Sequence, residues 1–249
     1  MTSVAIFGAS SAIAEQVARL YAAQEARLFL VGRDPVKLEA IAADLRARGA
    51  ELVDSEIFDF EKADGIGALL DAMRTRFGIP DKALIAYGTL PDQASCATND
   101  AFARQALELN FLSPVLLLQG LARLMEAGGG AIAAIGSVAG DRGRASNYIY
   151  GSAKGGLGLF AQGLAHALAR GGRAKPLGIV LVKPGFVDTP MTAAFPKGPL
   201  WAAPADVAGE IHAALEHGRS TIIYTPWFWR FILLIIRLLP QPVIHRTKL

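Results

Sequence analysis

Short apolar runs alternate along this chain with longer stretches whose apolar positions recur at helical spacing. The runs Ser3–Phe7, Arg27–Val31, Glu51–Phe58, Ala83–Ala86, Ala131–Ile135, Leu177–Val182 and Thr221–Tyr224 predict strands. Between them, Ala12–Ala23, Pro35–Arg48, Lys62–Phe77, a long Asp100–Met125, Asn147–Ala169 and Pro204–His217 predict helices. Proline in the first turn suits the second of these, because that position needs no N–H donor. Strands alternating with helices imply right-handed crossovers over both faces of a parallel sheet. The expected architecture is a three-layer, doubly wound, Rossmann-like α/β fold of about seven strands, with an apolar helix at the C-terminus. Ligands of such sheets bind beyond the carboxyl ends of the strands.

The chain has 249 residues, enough for one α/β domain with a sizeable core. Apolar residues at 52% and charged residues at 19% exclude a disordered or tail-like protein. A single cysteine, Cys96, leaves no internal disulfide and no cysteine-based metal cluster. The four histidines, His166, His212, His217 and His245, show no metal spacing, and no metal is expected. The opening residues run straight into a strand and read as no signal peptide, so a cytoplasmic location is expected.

Charge is unevenly placed. Arg219, Arg230, Arg237, Arg246 and Lys248 follow Glu216 with no acidic residue among them. The first 216 residues hold 20 basic against 22 acidic side chains. A nucleic-acid binder would spread its positive charge over a folded face, so none is expected here. Basic charge within an apolar tail points instead to a membrane surface. We therefore divide the chain into a domain over 1–225 and a tail over 226–249.

Three motifs carry candidate chemistry. Gly8-Ala9-Ser10-Ser11-Ala12-Ile13-Ala14 joins the first strand to its helix, where small residues let backbone N–H groups approach a pyrophosphate. Such a turn is also ordinary in any α/β protein. Tyr150 and Lys154 stand four apart on one helix face, and a nearby ammonium would lower the tyrosine pKa from about 10. A tyrosine tuned in this way can exchange a proton with an alcohol or carbonyl. Ser137, at the end of the fifth strand, can hold the same oxygen. Pro184-Gly185-Phe186-Val187-Asp188-Thr189 ends the sixth strand and is also a plain turn.

In this order the motifs resemble the short-chain dehydrogenase/reductase family over roughly residues 3–225. The resemblance implies a catalytic tetrad of Asn110, Ser137, Tyr150 and Lys154, with Asn110 supporting a water that resupplies Lys154. It implies that Asp59 meets an adenine, that Pro184–Thr189 lie beside a nicotinamide, and that the protein is a homodimer or homotetramer. Cofactor contacts then fall on Gly8, Ser10, Ser11, Ala12, Ile13, Arg33, Asp59, Tyr87, Gly88, Tyr150, Lys154, Pro184, Gly185, Val187 and Thr189. Two departures stand out. Ala12 and Ala14 replace glycines of the turn, and Ile85-Ala86-Tyr87-Gly88 replaces the family's Asn-Asn-Ala-Gly. That second turn must be held otherwise, with Tyr87 shaping the pocket.

Gly32 ends the second strand where an acidic residue would bond the ribose 2′-hydroxyl of NAD, and Arg33 follows. A guanidinium fork matches a 2′-phosphate, so NADP(H) is expected. Asp34 is expected to cap the helix from Pro35. The chemistry implied is hydride transfer to a ketone, with the proton from Tyr150. Two alternatives stay open: a general reductase of acyl, steroid-like or other ketones, and a non-catalytic cofactor sensor on the same fold.

The segment Thr189–Trp201 is apolar with one cation, Lys197, and would suit a greasy ligand with an anionic group. The run Pro226-Trp227-Phe228-Trp229-Arg230, continued to Arg237 and Pro240, resembles that of the decaprenylphosphoryl-2-keto-ribose reductases. This implies a polyprenyl-phosphate-linked 2-keto sugar as substrate and a flavin oxidase as pathway partner. As a helix, Trp227–Leu239 would reach about 20 Å, short of the roughly 30 Å hydrocarbon core. The tail is expected either to lie in the inner membrane interface or to pack on a neighbouring subunit. In the first case Trp227 and Trp229 sit at headgroup level, Arg230 and Arg237 snorkel, and Arg246 and Lys248 add charge for anionic lipid.

Overall fold

The computed structural model describes residues 1–172 and 175–246. In chain order the elements are β1 (Ser3–Phe7), α1 (Ala12–Ala22), β2 (Arg27–Gly32), α2 (Pro35–Ala47), β3 (Leu52–Ile57), α3 (Ile66–Arg76) and β4 (Lys82–Ile85). Then come α4 (Gln93–Thr98), α5 (Asp100–Leu107), α6 (Ser113–Met125), β5 (Gly130–Ile135), α7 (Tyr148–Arg170) and β6 (Leu177–Pro184). The rest are β7 (Phe186–Val187), β8 (Trp201–Ala202), α8 (Pro204–His217), β9 (Thr221–Thr225), α9 (Trp229–Leu238) and α10 (Gln241–Ile244).

Seven strands pair in parallel in the order β3-β2-β1-β4-β5-β6-β9. Successive residues of a strand face opposite sides, and both sides are covered. Val4 and Ile6 therefore pack into one core with α1, α2 and α8. Ala5 and Phe7 pack into the other with α3, α6 and α7. Chain order reverses at β1, whose two neighbours are β2 and β4, and a crevice opens beyond their carboxyl ends. Asp34 caps α2, accepting from the Val36 and Lys37 N–H groups at 3.1 Å each.

The expected single helix over Asp100–Met125 is broken. The separate short α4 precedes it, and a π-turn over Glu108–Leu112 divides α5 from α6. Pro114 explains the break: it has no N–H for the carbonyl four residues back, and its ring crowds that carbonyl. The turn widens at that point, and Asn110 lies fully buried within it.

The tail folds back onto the domain. Trp229 and Leu233 of α9 join Val138 in a small apolar cluster, with Tyr224, Phe228 and Ile232 packed against it. Arg142 donates to the carbonyls of Arg237 and Leu239 at 3.2 and 3.1 Å, which holds the far end of α9. The opposite side of α9 exposes Phe231, Leu234, Ile235 and Leu238, beside Trp227. The headgroup placement expected of both tryptophans is corrected here. Trp227 is exposed, but Trp229 is buried, because only one side of so short a helix can face out. Lys248 lies outside the described residues.

Candidate active site

Every residue singled out above for catalysis or cofactor contact lines one cleft of about 910 Å³ at the carboxyl ends of the central strands. At its base Gly8 turns the chain with φ +85°, and its N–H donates to the Val31 carbonyl at 2.8 Å. A Cβ on Gly8 would stand 2.6 Å from the Tyr87 backbone nitrogen, so the position needs glycine. Ser11 precedes α1 without capping it through its side chain. The first-turn N–H groups of α1 thus have no side-chain acceptor, which leaves donors suited to an anion beside Ser10, Ser11, Ala12 and Ile13. Ala14, one of the two departures from glycine, is turned into the core, where a methyl is welcome.

The turn after β4 is held without its usual asparagines. Tyr87 stacks on Phe60 at 3.8 Å with the rings nearly parallel, and its hydroxyl bonds Ser113 Oγ at 2.9 Å. Asn110 Oδ1 accepts from the Thr89 N–H at 3.1 Å, just past Gly88, while its Nδ2 donates to the Ala106 carbonyl at 3.0 Å. The π-turn supplies this clamp, since it turns the amide out of the helix toward β4. At the far end of the cleft Asp59 accepts from the Glu61 N–H at 3.1 Å. Arg33 stands nearby with 74% of its side chain exposed and a long 3.4 Å contact to Glu61.

Ser137, Tyr150 and Lys154 meet on the opposite wall. Ser137 Oγ accepts from the Ala139 N–H at 3.1 Å, starting a short 3-10 turn over Val138–Asp141. Lys154 is buried, and its Nζ donates to the Ile135 carbonyl at 2.9 Å. Burial lowers the Lys154 ammonium to about 8. Burial raises the Tyr150 phenol, and the hydrogen bond with Ser137 pulls it part of the way back. The expected lowering of Tyr150 by Lys154 is therefore corrected: Nζ lies 5.9 Å from the ring centre and is turned toward β5. Burial therefore favours the protonated phenol.

The wall after β6 carries Pro184, Gly185, Val187 and Thr189. A Cβ on Gly185 would lie 1.9 Å from Trp229 Nε1, so the absent side chain is what lets α9 close over the cleft. Trp229 lines the cleft, which sequence reasoning missed: an apolar residue in an apolar tail gives no sign of which way it faces. Arg144 was missed too. It lines the cleft from the loop before α7, where no periodicity marks it. Lys197, the cation expected to meet an anionic ligand, instead pairs with Asp188 at 2.6 Å on the exposed surface.

Comparison with known proteins agrees with this geometry. The family model for short chain dehydrogenases matches residues 2–199. An oxidoreductase of Mycobacterium tuberculosis is 38% identical over 244 residues, covering 98% of this chain and 96% of its own. One from Streptomyces coelicolor is 35% identical over 249 residues, covering 98% and 95%. The alcohol dehydrogenase of the archaeon Thermococcus sibiricus, solved with 5-hydroxy-NADP, shares the fold. Its TM-score is 0.79 at 22% identity, over 90% of this chain and 95% of that one. The chain belongs to the short-chain dehydrogenase family and is a nicotinamide-dependent oxidoreductase.

Proposed function

We propose that the protein is an NADPH-dependent carbonyl reductase whose proton donor is Tyr150. The observation that carries this reading is the convergence of Ser137, Tyr150 and Lys154 on the wall facing the Gly8 turn of one cleft. The free first-turn N–H groups of α1, the glycine-only turn and the cleft's volume suit a dinucleotide. Gly8, Ser10, Ser11, Ala12 and Ile13 would hold its pyrophosphate, and Asp59, Tyr87 and Gly88 its adenosine side. Pro184, Gly185, Val187 and Thr189 would border the nicotinamide. Arg33 is exposed, weakly paired and positioned for a 2′-phosphate, which supports NADPH over NADH. When bound, the reduced nicotinamide supplies a hydride to a ketone carbon.

The chain's own groups manage the proton. Tyr150, kept protonated by burial, gives its phenolic proton to the developing alkoxide. Ser137 holds the phenol and the ketone oxygen together. Lys154, cationic below its value of about 8 and anchored on the Ile135 carbonyl, would hold the nicotinamide ribose rather than lower the phenol. Asn110 acts as a positioning residue that clamps the β4 turn against the Lys154 side.

The substrate reading is a ketone carried on a membrane-seated apolar chain, of the polyprenyl-phosphate-linked 2-keto sugar kind. Its support is α9, which gives Trp229 to the cleft while its outer side exposes an apolar ridge next to Arg230. Basic charge without acidic neighbours suits an anionic lipid face. Among the described residues no helix is long and apolar enough to cross a membrane, so the proposal is a helix lying in the interface.

NADPH oxidation with polyprenyl-phosphoryl 2-keto-pentose, run beside an acetoacetyl thioester, tests the reading. Turnover of the keto-pentose, its loss in Tyr150→Phe with NADPH binding kept, and a preference for NADPH over NADH are expected. Turnover of the thioester alone would favour the general reductase. Near-full activity of Tyr150→Phe would overturn the mechanism.

A further inference from the structure

We infer that Arg144 is the anion anchor of the substrate half of the cleft, holding a phosphate group carried next to the reacting ketone. The inference rests on the reading that a ketone is reduced at Tyr150. Three cations line the cleft among the described residues: Arg33, Arg144 and Lys154. Arg33 stands at the far end beyond β2, and Lys154 is committed to the Ile135 carbonyl. Arg144 lies six residues before Tyr150, at the substrate end.

Its surroundings are those of a cation awaiting a partner. Arg144 is half-buried, and its Nε is shut off from water with no acceptor. Burial lowers its basicity, and among the described residues no carboxylate pairs with it to repay the desolvation. Asp92, which also lines the cleft, is tied to the N–H and hydroxyl of Ser95 at 2.8 and 2.6 Å. A guanidinium has five donors, and burying one without an anion is unfavourable.

Two further polar atoms are stranded near the same loop. Gln93 accepts from the Ile149 N–H at 3.0 Å, which fixes its amide against the start of α7, and its Nε2 is buried without a partner. Asn147 Oδ1 is buried and unpartnered as well. A guanidinium fork matches phosphate oxygens, and the amide carbonyl of Asn147, which also lines the cleft, matches a sugar hydroxyl. Lys197 cannot do this work, since it is paired with Asp188.

Phosphate beside a ketone could come from a lipid-linked phosphodiester or a soluble phosphorylated keto sugar. Isothermal titration of the full chain, saturated with NADP+ to fill the cofactor's own phosphate places, separates them. Dihydroxyacetone phosphate carries its phosphate on the carbon next to the ketone; dihydroxyacetone is its neutral control. The wild type should bind the phosphate probe about tenfold or more tightly than the control, as one bidentate charge-assisted pair would give. Arg144→Gln should abolish that preference while leaving dihydroxyacetone and NADP+ binding unchanged, and Arg144→Lys should keep part of it. Equal affinity for both probes in the wild type, or a preference that survives in Arg144→Gln, would overturn the inference. Should Arg144→Gln fail to fold, full preference in Arg144→Lys would count against the fork and partial preference for it. Farnesyl phosphate binding well above inorganic phosphate would mark the lipid-linked source, and equal binding the soluble one. Repeating the titration with Tyr150→Phe keeps the two readings apart: the anchor stands if the preference persists, whatever becomes of turnover.

Discussion

Gly185→Ala is the sharpest probe of how α9 meets the rest of the fold. The new methyl would stand 1.9 Å from Trp229 Nε1 and 2.1 Å from Cε2, where non-bonded carbon contacts do not fall below about 3 Å. The ring must retreat by about 1 Å, yet Val138 and Leu233 pack behind it and Phe186 meets its face edge-on at 5.7 Å. The strain therefore passes to α9. Overpacking of this kind costs about 1–3 kcal/mol. Trp229→Ala by itself should cost about 3–5 kcal/mol if α9 stays docked, and less if it swings free. In a Trp229→Ala background the obstacle is gone, so Gly185→Ala should be nearly neutral. The coupling between the two sites is then about 1–3 kcal/mol. Urea denaturation of the four proteins of the cycle reads this globally. Hydrogen exchange of the α9 amides reads it locally, because a detached ten-residue helix has no stability of its own. A neutral Gly185→Ala, or an equal loss in both backgrounds, would refute the argument that glycine is there to admit Trp229.

Three further outcomes follow from the same structure. Between pH 8 and the ordinary lysine value of 10.5, the unfolded chain keeps a proton that folded Lys154 has released, so stability rises with pH there. Wild type should gain about 3 kcal/mol on Lys154→Met across that window, with no change below pH 8; urea titrations showing a flat or falling difference would refute it. Asp141→Ala leaves the partly buried Lys183 without its ion pair and Tyr224 without its 2.7 Å acceptor. A loss of about 3–5 kcal/mol, read as a fall of about 10 °C in Tm, is expected, and a loss under about 1 kcal/mol would show the pair idle. Asp34→Ala removes both cap bonds of α2 and should cost about 1 kcal/mol by urea denaturation, with Asp34→Asn nearly neutral.

Much of the fold was legible because the sheet is covered on both sides. Strands such as Ser3–Phe7 must then be apolar throughout, and runs of that kind separated by helical periods admit few topologies. That Gly8, Arg33 and Asp59 would share one cleft was legible for a related reason. Gly8, Arg33 and Asp59 sit at strand ends, and a parallel sheet brings all its carboxyl ends to one edge. The Asp34 cap is local chemistry and needs only its neighbours.

What the chain's pattern could not decide were matters of facing and pairing. The helical spacing over Asp100–Met125 gave no sign of a break; Pro114 opens the turn, and Asn110 finds the Thr89 N–H only in the folded chain. Trp229 and Trp227 are two residues apart in one apolar run. The bare backbone of Gly185, distant in sequence, leaves room for the Trp229 ring. Lys197 and Arg144 are equally basic on paper, but Asp188 reaches one and, among the described residues, no carboxylate reaches the other. Periodicity reports which residues want burial. It carries no record of the distant partner that satisfies or neglects a particular charge, because that partner is brought near only when the chain closes on itself.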